Sequence, residues 1–219
     1  MGTRQAFEEG LTAISQDILR MAVMVEEALA RAIESLVERS EGKARDVVAG
    51  DEAINRLEQA VQERCVVLMA REQPVATDLR RLVACLEIAS QLERMGDHAQ
   101  HVARGTLRIL PEPYMKPLVD IPRMSQLIIS MLREAISALL DNDAARARAV
   151  APGDRDVDNL HEQVMRELFT YMMEDTGRVA QAISLLFVSR FLERMGDHVT
   201  NICEWVVYGA TGERVELNT

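Results

Sequence analysis

Three features of the sequence predict an all-α fold made of two tandem three-helix bundles. Apolar residues recur at spacings of three and four through long stretches, which is the period of a half-buried helix. Aromatic residues make up only 4% of the 219 residues while Ala, Leu, Val, Met, Glu and Arg abound, a composition that suits helices and disfavours a sandwich or barrel. The hexapeptide Glu93-Arg94-Met95-Gly96-Asp97-His98 returns as Glu193-Arg194-Met195-Gly196-Asp197-His198 at an offset of 100 residues, so a whole supersecondary unit is repeated.

A first helix is expected over 11–40, along the seam Leu11, Ile14, Ile18, Met21, Val25, Leu29, Ile33 and Leu36, with Ser40-Glu41-Gly42 as its stop. A second runs over about 44–70 through Val47, Ile54, Leu57, Val61, Cys65 and Leu68. Beyond Pro74 a third covers about 77–104, with Thr77 as its N-cap and the stripe Ile88, Leu92, Met95, Ala99 and Val102. Pro111, Pro113 and Pro117 mark a linker. Asp120-Ile121-Pro122 reads as a cap followed by proline in the first turn of a fourth helix, which stops at Asp141-Asn142-Asp143. A fifth is expected over about 144–173, kinked at Pro152-Gly153. The sixth, over 178–208, carries Val188, Leu192, Met195, Val199, Ile202 and Val206 and ends at Gly209 and Gly212, leaving a polar tail. At an offset of 103, Leu29, Ile33, Leu36, Val47, Gly50 and Asp51 meet Leu132, Ile136, Leu139, Val150, Gly153 and Asp154, which extends the repeat over both halves. The expected units are 1–105 and 119–219, with the linker at 106–118.

A net charge of −10 and a pI near 5.0, with no basic stripe, argue against direct nucleic-acid binding and against docking on anionic lipid. Cys65, Cys85 and Cys203 lack metal-type spacing and read as buried free thiols of a reducing compartment. Residues 1–10 show no apolar signal core, and no run approaches the ~20 apolar residues of a membrane span. The expectation is a soluble cytoplasmic protein.

The repeated hexapeptide places Glu and Asp four apart, on one helix face. Like charges at that spacing cost an isolated helix roughly 0.2–0.5 kcal/mol, and an interior glycine costs about 1 kcal/mol against alanine. Close backbone packing at the glycine and a cation at the acids are the two candidate compensations. From Glu193, the residues Asp197, Asn201 and Glu204 fall within about an 80° arc at roughly 100° per residue, opposite the apolar stripe. A simple solvated face would look the same. Against it, the upstream part of that arc is apolar: Leu79, Leu82 and Leu86 in the first copy, Val179, Ala182 and Leu186 in the second. The preceding helix also offers oxygen pairs at four-residue spacing, Asp154 with Asp158 and Asp51 with Asn55. Two such helices could surround hard or borderline divalent cations.

His161, three residues after Asp158, could add a nitrogen ligand, and Glu58 holds the corresponding place in the first copy. His98 and His198 lie about 140° from the leading Glu at ~100° per residue and read as outer or surface groups. His101 and Asn201 could orient an acid, and Arg94 and Arg194 read as helix-surface ion-pair partners. Neither copy has the Glu-x-x-His of diiron carboxylate bundles, and neither a phosphate loop nor a nucleophile with a base is recognisable. An interaction protein is therefore expected, not an enzyme. The alternative is a metal-dependent hydrolase or redox enzyme using the same carboxylates. Four acids in the second copy against three in the first, with Asn55 neutral, predict tighter binding at the second site unless Glu58 restores the charge.

The doubled Glu-Arg-Met-Gly-Asp, the Asp78-Leu79-Arg80 triplet and the closing Asn201-Ile202-Cys203-Glu204-Trp205-Val206-Val207-Tyr208 resemble the PhoU family, accessory proteins of bacterial phosphate-specific transport. The resemblance covers nearly the whole chain. It implies a cytoplasmic, dimeric regulator that contacts the ATP-binding subunit of the phosphate ABC transporter and a sensor histidine kinase. Such a regulator holds starvation signalling off when phosphate is plentiful and meets the membrane only through its partners. It also implies multinuclear clusters of divalent metal (Fe, Zn, Mn or Mg), mapping to Asp51, Glu93 and Asp97 and to Asp154, Asp158, Glu193 and Asp197. Asn55 departs from the family's usual acid, and Arg178-Val179-Ala180 replaces the triplet in the second copy.

Overall fold

The computed structural model describes residues 3–110 and 112–218; Pro111 of the expected linker lies outside the described residues, as do Met1, Gly2 and Thr219. All eight seam residues from Leu11 to Leu36 are buried, and they sit on one helix, α1 (Thr3–Val37). The chain turns back at Arg39, which adopts the left-handed region at φ 56°. Ser40 then accepts a hydrogen bond from the Lys43 N–H at 3.3 Å and caps α2 (Glu41–Glu72). The Ser40-Glu41-Gly42 stretch thus starts the second helix, where the sequence suggested it stops the first.

Thr77 is the first residue of α3 (Thr77–Ile109) and not its cap; Ala76, at φ 49°, holds the cap position without a side-chain bond. α3 continues four residues into the stretch expected as linker because Thr106 and Ile109 are buried core residues. Pro122 lies in the first turn of α4 (Asp120–Asp141), where its missing N–H costs nothing. Asn142 ends α4 in the left-handed region, and the Asp143 carboxylate caps α5 (Ala144–Val150) by accepting from the Ala145 and Arg146 N–H groups. The expected kink is a 3-10 turn at Ala151–Gly153, after which α6 (Asp154–Glu174) resumes. α7 (Val179–Thr211) runs through Gly209 and stops at Gly212, whose φ of 80° lets its N–H bond Tyr208 O at 2.8 Å. With α5 and α6 taken as one bent helix, the described residues form six helices and no strand.

α1, α2 and α3 pack on one another, as do α4, α5/α6 and α7, and the halves join through α3 on α7 and α1 on α4. One continuous core results, with Leu92, Met95 and Val102 of α3 and Leu192, Met195 and Ile202 of α7 all fully enclosed. α3 and α7 run antiparallel: a methyl at Gly105 would lie 2.8 Å from Val188, and one at Gly209 3.1 Å from the Ala84 methyl. None of the described helices is long and apolar enough to cross a membrane. Cys65, Cys85 and Cys203 are free and buried, and burial pushes each thiol up to about 12, so they are inert core groups.

Candidate metal centres

Each hexapeptide lies on the long closing helix of its half, and its glycine faces an aspartate of the preceding helix. A methyl at Gly96 would stand 3.6 Å from Asp51 Oδ1 and 3.0 Å from Ile54 Cδ1. At Gly196 it would fall far inside contact with Asp154 Oδ1. The glycines therefore let α2 and α6 bring a carboxylate against the motif. Only 8% of Asp51 and 4% of Asp154 remain exposed.

In the first cluster Gln100 donates to Asp51 Oδ2 at 2.9 Å, while Asp51 Oδ1 and Asn55 Oδ1 are buried without partners. Burial raises the Asp51 carboxyl above its ordinary range; Asp97 adds to this, and Arg104 and His101 oppose it. Burial also raises Glu93, with Asp97, Glu58 and Asp51 adding to it. Glu58 is therefore close enough for its charge to reach Glu93. Its own carboxyl is raised by burial and accepts a hydrogen bond from Gln62. This supplies the charge that Asn55 lacks, which removes the charge-count difference expected between the copies.

In the second cluster both carboxylate oxygens of Asp154 are buried and unpaired. Burial, then Asp158, Asp197 and Glu193, push its carboxyl up to about 7; the Thr200 hydroxyl pulls the other way, though its contact falls short of hydrogen-bond geometry. Burial raises Asp158, with Asp197 adding to it. Burial raises Glu193 as well, although Arg190 pairs with its Oε1; Oε2 is buried and unpaired. The Ser189 hydroxyl donates to Leu186 O and so accepts from His161 Nδ1 at 3.0 Å, which leaves the Nε2 lone pair available. Burial lowers the His161 pKa, keeping the ring neutral as a ligand must be.

The tail, read as merely polar, closes over this second cluster. Val215 and Leu217 pack against the core, the Leu217 N–H donates to Glu204 Oε1 and Asn218 Nδ2 donates to Asp197 Oδ1, both at 2.7 Å. Asp154, Asp158, Leu217 and Asn218 help line an open pocket of about 150 Å³.

Among the described residues no three His, Cys, Asp or Glu side chains converge on one point. The clusters nonetheless fit divalent cations in chemistry: buried, mutually repelling carboxylates with unpaired oxygens are what an oxygen-seeking ion neutralises. Asp51, Asn55, Glu58, Glu93 and Asp97 could hold the first ion or ions. Asp154, Asp158, Glu193, Asp197 and His161 could hold the second.

Four residues take places the sequence did not give them. His98 and His198 are not outer groups of the acid sites: they meet across the α3–α7 seam, Nε2 to Nε2 at 3.3 Å with rings stacked at 5.3 Å. Gln91 Oε1 accepts from His198 Nδ1 at 2.7 Å, so His198 Nε2 must accept from His98. Burial, with nearby cationic residues, depresses both rings to about 4. Asn201 donates to Gln91 at 3.3 Å instead of orienting an acid, and His101 stacks on Phe191 with centroids 4.8 Å apart. A helical wheel places these residues on a face of their own helix but is silent about the helix opposite.

The PhoU domain model matches the chain twice, over residues 18–106 and 121–206. The "phosphate-specific transport system accessory protein PhoU homolog" of Clostridium acetobutylicum is 34% identical over 217 residues, covering 99% of each chain. That of Deinococcus radiodurans is 36% identical over 211 residues, 96% of this chain and 99% of its own. Among solved structures, PhoU from Pseudomonas aeruginosa has a TM-score of 0.90 at 34% identity, covering 94% of this chain and all (100%) of its own. The phosphate transport system regulatory protein PhoU from Streptococcus pneumoniae scores 0.87 at 29% identity over 96% of this chain and 99% of its own. The twofold domain match falls on the two halves that the helices and the doubled motif delimit, and the chain belongs to the PhoU family.

Proposed function

We propose that this protein is a non-enzymatic regulator accessory to phosphate uptake, acting in the cytoplasm as a homodimer through protein contacts. Its relatives carry the name of phosphate-specific transport accessory proteins, and that name supports the reading. The contacts assigned to it are the ATP-binding subunit of the phosphate ABC transporter and a sensor histidine kinase, so that it reaches transcription without touching DNA. The two carboxylate clusters hold divalent cations. Bound there, a cation would neutralise the clustered charge and tie α2 to α3 and α6 to α7.

The observation that carries the metal reading is Asp154, a buried carboxylate with neither oxygen paired, on which the charges of Asp158, Asp197 and Glu193 act. Ionised, such a group is costly in the interior, and either a proton or a bound cation relieves that cost. Metal analysis of untagged protein purified without chelator tests it: at least one bound divalent ion per chain is expected, lost on Glu193→Gln/Asp197→Asn substitution together with the corresponding Glu93/Asp97 pair. Metal-free protein from a metal-replete preparation would overturn it. Pull-down with the transporter subunit and the kinase tests the regulatory reading. Phosphoester turnover abolished by Glu193→Gln would assign the protein to enzymes instead.

A further inference from the structure

Further along α3 from the first acid cluster, α3 and α7 frame a pocket of about 250 Å³, of whose lining Arg104 and His101 also act on Asp51. Its lining carries no acid, in a protein of net charge −10. Arg104 and Arg108 stand one helical turn apart at its rim, both exposed. Asp51 is within reach of the Arg104 charge, but no ion pair or hydrogen bond involves either guanidinium among the described residues. Two like charges left side by side on one helix face are mildly unfavourable until an anion joins them.

The wall of the pocket is aromatic. The chain has four phenylalanines, and two of them, Phe187 and Phe191, line this pocket. Their rings lie 6.3 Å apart at 27°, and Phe191 stacks in turn on His101 at 18°, so three rings form a near-parallel tier. The outermost, Phe187, is 53% exposed and so accessible to a ligand. Polar groups suited to a heterocycle flank it. His101 Nδ1 is buried without a partner, and Ser184 donates its proton to Ala180 O, leaving its oxygen as an acceptor.

We infer that this pocket binds a nucleoside phosphate, with the base stacked on Phe187 and the phosphate held by Arg104 and Arg108. Planar rings stack on aromatic side chains, and guanidinium forks match phosphate oxygens. The volume lies just below the roughly 300–1,000 Å³ of drug-sized sites, which fits a mononucleotide better than a longer oligonucleotide. The inference requires no metal at the clusters, and because Arg104 also acts on Asp51 it is tested on metal-free protein.

The test is isothermal titration calorimetry of chelator-treated full-length protein with AMP, ADP, adenosine and inorganic phosphate. AMP and ADP are expected to bind, ADP more tightly, with affinity falling as salt rises. Phe187→Ala should weaken AMP by about 5–100-fold, the equivalent of one base stack. Arg108→Ala should weaken ADP by about 10-fold or more while leaving adenosine unchanged, as loss of a charge-assisted phosphate bond requires. Both side chains are exposed, and unchanged circular-dichroism melts would show that the variants fold. No binding of either nucleotide at millimolar concentration overturns the inference. So does inorganic phosphate binding as tightly as AMP and indifferent to Phe187→Ala, which would make this a bare anion site. Nucleotide binding unaffected by both variants places the ligand elsewhere and also overturns it.

Discussion

Asp154→Asn should stabilise the metal-free protein above neutral pH, although it removes a residue assigned to metal binding. The folded protein holds the Asp154 proton up to about pH 7 against an ordinary value of 3.8. Between those values the folded state binds a proton that the unfolded state has released, so stability falls as pH rises. The contribution is fully present below the unfolded value and lost once pH passes the folded one. Some three pH units at about 1.4 kcal/mol each give a ceiling of roughly 4 kcal/mol. Asparagine keeps the shape and cannot ionise. In chelator, urea unfolding of wild type and variant should coincide below the unfolded value of 3.8 and diverge progressively above it, by up to about 4 kcal/mol at pH 8, a melting difference of roughly 10 °C for a chain of this size. Saturating divalent metal should reverse the order, because binding to the wild-type folded state adds stability by mass action. An Asp154→Asn variant no more stable than wild type at pH 8 in chelator would show that the carboxylate already has a partner, and the buried-charge reasoning would fail.

Three further outcomes follow from the same geometry. Gly196→Ala should destabilise by about 1 kcal/mol in chemical denaturation despite its gain of about 1 kcal/mol in helix propensity, and Gly96→Ala by less; a higher melting temperature for Gly196→Leu would contradict this. Asp154→Ala in the same chain should remove the Gly196→Ala penalty, a coupling readable in a double-mutant cycle. Truncation after Gly212 removes the Asn218 bond to Asp197 and should tighten metal binding at the second cluster several-fold in a competitive titration; unchanged affinity would mean the tail only rests there.

Helix existence was legible because the apolar period is long and strong, and the repeat was legible because the hexapeptide survives in both halves. Boundaries moved for local reasons: Thr77 enters the helix it was expected to cap, and Gly209, small enough to admit Ala84, is packed inside α7 instead of ending it. The acids expected to share a helix face act on one another electrostatically, and Glu58 acts on Glu93 with them. What the sequence withheld is whatever lies across a seam. Gln100 lies two turns from Glu93 on the same helix face but meets Asp51 across the α2–α3 seam, Asn218 is beyond the last periodic residue, and the His98–His198 pair joins positions a hundred residues apart. Arg94 and Arg194 form no ion pair among the described residues; they stand by the opposite half's histidines, whose protonation they oppose.

The two clusters share a scaffold and differ in what already satisfies it, which gives a firmer basis for ranking them than charge count. With Glu58 included, each cluster holds four carboxylates. In the first, Gln100 donates to Asp51 and Arg104 lends it positive charge, so much of the cost of ionising Asp51 is offset within the protein. In the second, Thr200 stands where Gln100 does and makes no hydrogen bond, leaving Asp154 protonated to about pH 7. Arg190 and Asn218 each hold an oxygen, but of Glu193 and Asp197, not of Asp154. A cation entering the second cluster therefore relieves more unfavourable energy, meets His161 as a neutral nitrogen donor, and must displace the proton on Asp154 first. Competitive titration of Glu93→Gln/Asp97→Asn against Glu193→Gln/Asp197→Asn should accordingly remove the tightest class of sites only in the latter. Its affinity should rise steeply from pH 6 to 8, where Asp154 gives up its proton. Loss of the tight class from the first variant, or a second site indifferent to pH across that window, would show that ligand identity at His161 or Glu58 outweighs the unpaired aspartate.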